Sequence, residues 1–172
     1  MRKAGLAALI LATLVGSFFI ALTSLGSRAL PNKAENDQSG AGRLASSNIL
    51  DRADLIEAAV AAGLHASLRM RGQVDEIKRV NANEIAIRGW LADPGSEGDA
   101  LKVILFVAGQ NKATVETKGE RPDVTQGLNL RFGAEKNVSF EATAACPKDA
   151  RIVVVGLGQD KQYLYVSSAR CP

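Results

Sequence analysis

Chemistry needs nucleophiles, bases or metal ligands in groups, and this sequence offers few. It has one histidine, His65, and two cysteines, Cys146 and Cys171. A Ser–His triad would have to be built on His65, which falls on the polar side of an alternating stretch with no second His or Cys near it. A surface imidazole accounts for it. So few Cys and His exclude a zinc module of the Cys/His-rich kind, and neither metal nor cofactor is expected. There is no Gly-rich phosphate loop ending in Lys-Ser/Thr, no G-x-S-x-G and no H-E-x-x-H. The acidic residues are scattered singly, so a carboxylate-based hydrolase is the least favoured reading. No catalytic residue is assigned and the chain is read as a non-enzyme. Five residues remain as candidates for binding: Trp90, Arg121, Asp123, Tyr163 and Tyr165. An exposed Trp90 could stack on a sugar or a peptide. Tyr163 and Tyr165 share one strand face with Ser167. Arg121 and Asp123 could hold a polar ligand. Turn chemistry already accounts for them, because Pro122 suits the first helical position and Asp123 the positive end of the amide dipole. Val124 and Leu128, four apart, could then dock one side of that turn onto the core.

The cysteines lie 25 positions apart. If Gly158-Gln159 is a two-residue hairpin turn, the register places Cys146 opposite Cys171 at the base of the last hairpin. A structural disulfide is the reading preferred over a redox pair, since no C-x-x-C spacing occurs. Closing that loop would contribute roughly 3 kcal/mol. A lasting disulfide requires an oxidising compartment.

The elements that must position these residues follow from patterning. Residues 4–27 form a run of uncharged residues after Met1-Arg2-Lys3. As a helix this run would reach about 36 Å, enough to cross a hydrocarbon core of about 30 Å. It is longer than the apolar region of most signal peptides, and the small-residue sites near Gly26 and Ala29 are poor cleavage sites. Residues 1–30 are therefore read as an uncleaved membrane anchor, with secretion after cleavage as the alternative. Arg2 and Lys3 ahead of the span, together with the disulfide, put the rest of the chain outside the cytoplasm, in a periplasm-like space. Three of the 21 basic residues lie in the first thirty, with no acid there, so the other 18 balance the 18 acidic residues. The densest basic group, Arg69, Arg71, Lys78, Arg79 and Arg88, is interleaved with Asp75, Glu76 and Glu84 and reads as a solvated mixed-charge face, so no nucleic-acid partner is expected.

Residues 31–48 (PNKAENDQSGAGRLASSN) read as a linker. Residues 49–63 read as a short amphipathic helix, capped by Ser46, Ser47 or Asn48 and stopped at Gly63. Its predicted apolar stripe is Ile49, Ala53, Ile56, Val60 and Gly63. From residue 64 the period changes to two, and residues 64–71 alternate cleanly enough to predict a strand. More strands are predicted near 74–80, 84–91, 101–107, 113–118, 138–143, 151–157 and 163–167. The breaks between them carry turn residues, at 81–83, 93–95, 109–111 and 158–160. Residues 101–107 (LKVILFV) and 152–155 are apolar on both faces, which suits central strands. Residues 64–172 are thus expected to form an all-β domain, an Ig-like antiparallel β-sandwich of about seven or eight strands.

Within residues 84–91, strict alternation puts Ile85, Ile87 and Leu91 on one face and Trp90 on the other. A bulge at Gly89 would return Trp90 to the core side. The expectation is a buried Trp90, because large aromatics are mostly buried. Gly89-Trp90-Leu91-Ala92-Asp93, then residues 101–109, then Arg121-Pro122-Asp123-Val124 resemble a small β-sandwich module of bacterial cell-surface proteins, often appended to glycosyltransferases and secreted proteins. The likeness spans about residues 72–155. Leu91 stands where that module has a small residue after Trp, Ala108 where it has an acid, and Ser139-Phe140 where it has Gly-Phe. The resemblance implies a β-sandwich outside the cytoplasm and no particular activity. The functional expectation is a membrane-anchored, non-catalytic envelope protein, held to the membrane by residues 4–27, whose sandwich acts as a structural or interaction module toward an envelope protein or glycan. The alternative is a glycan-binding module using Trp90 or the Tyr163/Tyr165 face.

Overall fold

The computed structural model describes residues 39–95, 98–128 and 137–172. The expected membrane span lies outside them. Among the described residues no helix is long and apolar enough to cross a membrane.

Two short helices come first, α1 (Gly40–Ala45) and α2 (Arg52–Ala61). Eight strands and a third helix follow: β1 (His65–Ala66), β2 (Arg71–Arg79), β3 (Glu84–Ala92), β4 (Lys102–Val107), β5 (Gln110–Glu116), α3 (Pro122–Leu128), β6 (Ser139–Ala145), β7 (Arg151–Leu157) and β8 (Gln162–Arg170). The chain is mostly β. Its strands form a five-stranded sheet, β1-β8-β7-β4-β5, and a three-stranded sheet, β2-β3-β6. Every strand pair is antiparallel except β1 with β8, which is parallel, a departure from the all-antiparallel expectation.

One core joins the inner faces of the two sheets. Ile85, Ile87 and Leu91 of β3 and Phe140 and Ala142 of β6 meet Val103, Leu105, Ile152 and Val154 of β4 and β7. The other faces of β4 and β7 carry Ile104, Phe106, Val153 and Val155, and these are buried too, under α1 and α2. The two-sided apolarity of residues 101–107 and 152–155 has this cause, and β4 and β7 are central strands.

The helices correct two expectations. Gly40–Ala45, inside the stretch read as linker, is helical, and Leu44 is fully buried against the sheet. Ser39 caps it by accepting a hydrogen bond from the Gly42 amide at 3.3 Å. In α2 the buried side is Leu55, Ala59 and Ala62, while Ile56 is 47% and Val60 70% exposed. The helical part of the predicted stripe, Ala53, Ile56 and Val60, faces away from the sheet. So many alanines make every side of α2 plausible, and the bulkiest buried anchor, Leu55, decides its rotation. Asp51, rather than a residue at 46–48, caps the helix, its carboxylate accepting from the amides of Ala53 at 2.8 Å and Asp54 at 3.1 Å. Ile49 lies outside the helix in a bridge to Gly109. Gly63, at φ +71°, ends α2: its amide donates to Val60 and that of Leu64 to Ala59. Leu44, Ile49 and Leu55 are each 0% exposed, and burying such a side chain contributes about 1.5–3 kcal/mol. Three such anchors, one in each helix and one between them, make residues 40–61 part of the folded body.

Residues 64–71 are not one strand. The Ser67 hydroxyl accepts from the amides of Arg69 and Met70 and donates to Gln162 Oε1, closing a turn that leaves Leu68 88% exposed. Pairing in the last hairpin also differs from expectation. It runs from Arg151↔Arg170 to Leu157↔Tyr163 with a bulge beside Val154, and the turn takes four residues, 158–161, with Asp160 and Lys161 at positive φ. Cys146 is therefore not at the base of that hairpin. It follows β6 in the three-stranded sheet, whereas the Cys171 amide donates to Ala150 beside β7. The two cysteines stand at disulfide distance, Cα–Cα 6.1 Å, both buried. They link the two sheets.

Candidate functional site: a charged groove beside Trp90

The outer face of β2-β3-β6 carries a groove of about 710 Å³. Its shape begins with a bulge. Val74 and Ile77 both pack on the core, three positions apart, so strict alternation fails between them. The β2–β3 register shifts at Val74/Glu76, and Asp75 and Glu76 both face outward. Glu76 then opposes Arg88, and Arg88 opposes Glu141 across the next strand pair. Arg88 donates to Glu141 at 3.0 Å, and this bond, with the nearby charges, holds its pKa above the ordinary value. Both side chains are more than half exposed, so solvent screens the pair and it adds little to stability.

At one end of the groove the chain leaves β5 and returns toward β6. The Lys118 amide donates to Ser139 at 2.6 Å, and the Val138 amide donates to Gly119 at 3.0 Å. α3 follows, with Pro122 at its first position as expected. Arg121 donates through Nε to Asp123 Oδ1 at 2.9 Å and through Nη2 to Asp123 Oδ2 at 2.7 Å. Its third arm, Nη1, reaches Asp75 Oδ2 on β2 at 2.6 Å. This fork geometry is specific to a guanidinium. Hydrogen bonds to Asp123 and then Asp75 raise the Arg121 pKa, and the same guanidinium lowers the Asp123 carboxyl to about 2.

Trp90 follows strict alternation. No bulge forms at Gly89, and Trp90 lies on the outer side of β3, half-buried. With Leu128 it packs against a cluster of Ala92, Val124 and Val138. The expected core anchor is thus a side chain held partly under α3. Gly89 remains essential for another reason. A Cβ there would stand 2.2 Å from the Gln73 carbonyl and 2.7 Å from the Phe140 ring, which lies directly over it.

Tyr163 and Tyr165 lie on the helix-covered side of the five-stranded sheet. Tyr163 is 7% exposed and packs beneath the helices with Leu55 and Leu64. Tyr165 is half-buried beside the same cluster, with the Arg52 guanidinium 5.7 Å from its ring centre. His65 is exposed in β1. The structure thus brings Trp90, Arg121 and Asp123 to one end of one sheet and leaves Tyr163 and Tyr165 on the other. Asp75 escaped the sequence reading, although the spacing of three between Val74 and Ile77 marks the bulge that presents it. Of the groove carboxylates, Asp75 and Glu141 are paired with arginines, and no ion pair engages Glu76 or Glu116 among the described residues. No group of three or more potential metal ligands occurs among the described residues.

No protein-family model matches the chain, and no curated protein sequence matches it.

Proposed function

We propose that the chain is a membrane-tethered, non-catalytic protein of the cell envelope, whose Ig-like β-sandwich lies outside the cytoplasm and acts as an interaction module. The observation that carries this reading is the buried cysteine pair at 6.1 Å between Cα atoms. A covalent bond between the sheets is durable only where thiols are oxidised. The uncharged run at residues 4–27 supplies the tether. The Ig-like assignment rests on strand order: β2, β3 and β6 share one sheet, β1, β4, β5, β7 and β8 the other, and the chain crosses between sheets after β1, β3, β5 and β6. The GWLAD and RPDV segments support the likeness to bacterial cell-surface modules. In the host, fractionation with N-terminal sequencing should find the intact chain in the membrane. Mass spectrometry of unreduced protein should find Cys146 bonded to Cys171. A soluble form beginning near Ser27 or Leu30 would make it a secreted protein; free thiols in a cytosolic protein would end the proposal.

A second reading is glycan binding. It is favoured by the half-buried indole of Trp90, whose cross-strand partner Ser139 lines the groove. Aromatic faces beside charged and hydroxyl groups suit a sugar ring. Glycan-array binding that disappears in Trp90→Ala would move the assignment to this reading.

A further inference from the structure

We infer that α3 is a hinged cover over Trp90, latched to the sheet by the Arg121–Asp75 bridge. The chain up to Gly119 is fastened to β6 by backbone hydrogen bonds. Beyond Gly119 the backbone bonds of this segment are local, from Val124 and Thr125 to Arg121, and among the described residues none joins α3 to a strand. Among the described residues, what holds α3 down is the Arg121 bond to Asp75 at 2.6 Å and the packing of Val124 and Leu128 beside Trp90. A helix of seven residues with Gly127 inside it does not hold its place alone, so its position depends on those contacts. Gly119, at φ +89°, is where the fastened and unfastened parts meet. Asp123 grips two nitrogens of the guanidinium and leaves the third aimed at Asp75, so the latch is oriented from within α3 and caught by the β2 bulge. Releasing it uncovers an indole at the end of the charged groove.

Trp90 is the single tryptophan of the chain and reports on its own cover. In the full-length protein, Asp75→Ala removes the catch and Val124→Ala weakens the apolar contact. Each should raise acrylamide quenching of the indole about twofold or more, while the circular-dichroism melting midpoint stays within a few degrees of the parent, because local opening is separable from global unfolding. Quenching unchanged in both variants overturns the inference. So does quenching that rises only together with loss of the sheet signal, which would make α3 an inseparable part of the body.

Discussion

Arg121 shows how one side chain joins distant parts of a chain. Its sequence neighbours Pro122, Asp123 and Val124 announce a helical turn, and the turn forms where expected. The Asp123 carboxyl, held near 2 against an ordinary 3.8, stabilises the fold fully above about pH 4 and loses that contribution as pH falls through its folded value. In Arg121→Leu we expect this carboxyl to titrate back toward 3.8 in a side-chain NMR titration, and a midpoint still near 2 would contradict the pairing. Asp75, the third member, was out of sight 46 positions away, because a bridge between sequence-distant residues has no local signature. Gly89 carries a similar lesson. Glycine in a strand signals either a bulge or a close approach, and here the Gln73 carbonyl and the Phe140 ring choose the second. Gly89→Ala should cost about 1–3 kcal/mol in a urea titration through overpacking; a change below about 0.5 kcal/mol would mean that both the Gln73 backbone and the Phe140 ring give way freely.

Helix α2 illustrates the limit at the scale of elements. Its existence, its glycine stop and its contact with the sandwich follow from local chemistry. Its rotation does not, because a helix rich in alanine offers several faces of similar apolarity, and the sheet it meets selects one. Leu55→Ala should destabilise by about 2–5 kcal/mol, as for other emptied core sites. Val60→Ser, on the exposed side, should change stability by less than about 0.5 kcal/mol. The reverse order in thermal melts would restore the stripe through Val60. The strands divide in the same way. Residues 151–157 form β7 as expected, since a continuous apolar run has few other uses in so short a segment. Residues 64–71 alternate as cleanly as a strand, yet the Ser67 hydroxyl turns the backbone after two residues.

For the whole molecule, the two sheets and the cysteines between them matter most. With both cysteines replaced by alanine, the chain should lose roughly 3 kcal/mol of stability, the loop-closure expectation for a separation of this length. Reduction with dithiothreitol should lower the parent protein's melting point and leave the double variant's unchanged. Equal responses of the two would mean that the cysteines are not bonded to each other. Local patterning is enough to make this mostly a β protein, to mark which strands are central and where α3 begins, and to name the two cysteines that belong together. Those features depend on local period, turn residues and composition, which act over a few positions. Long-range packing is what sets the cysteines between the sheets, lays α1 and α2 over the five-stranded sheet and Tyr163, and brings Arg121 to Asp75. Each is a choice among faces or registers of comparable local merit, and only the packing of elements far apart in the chain tells them apart.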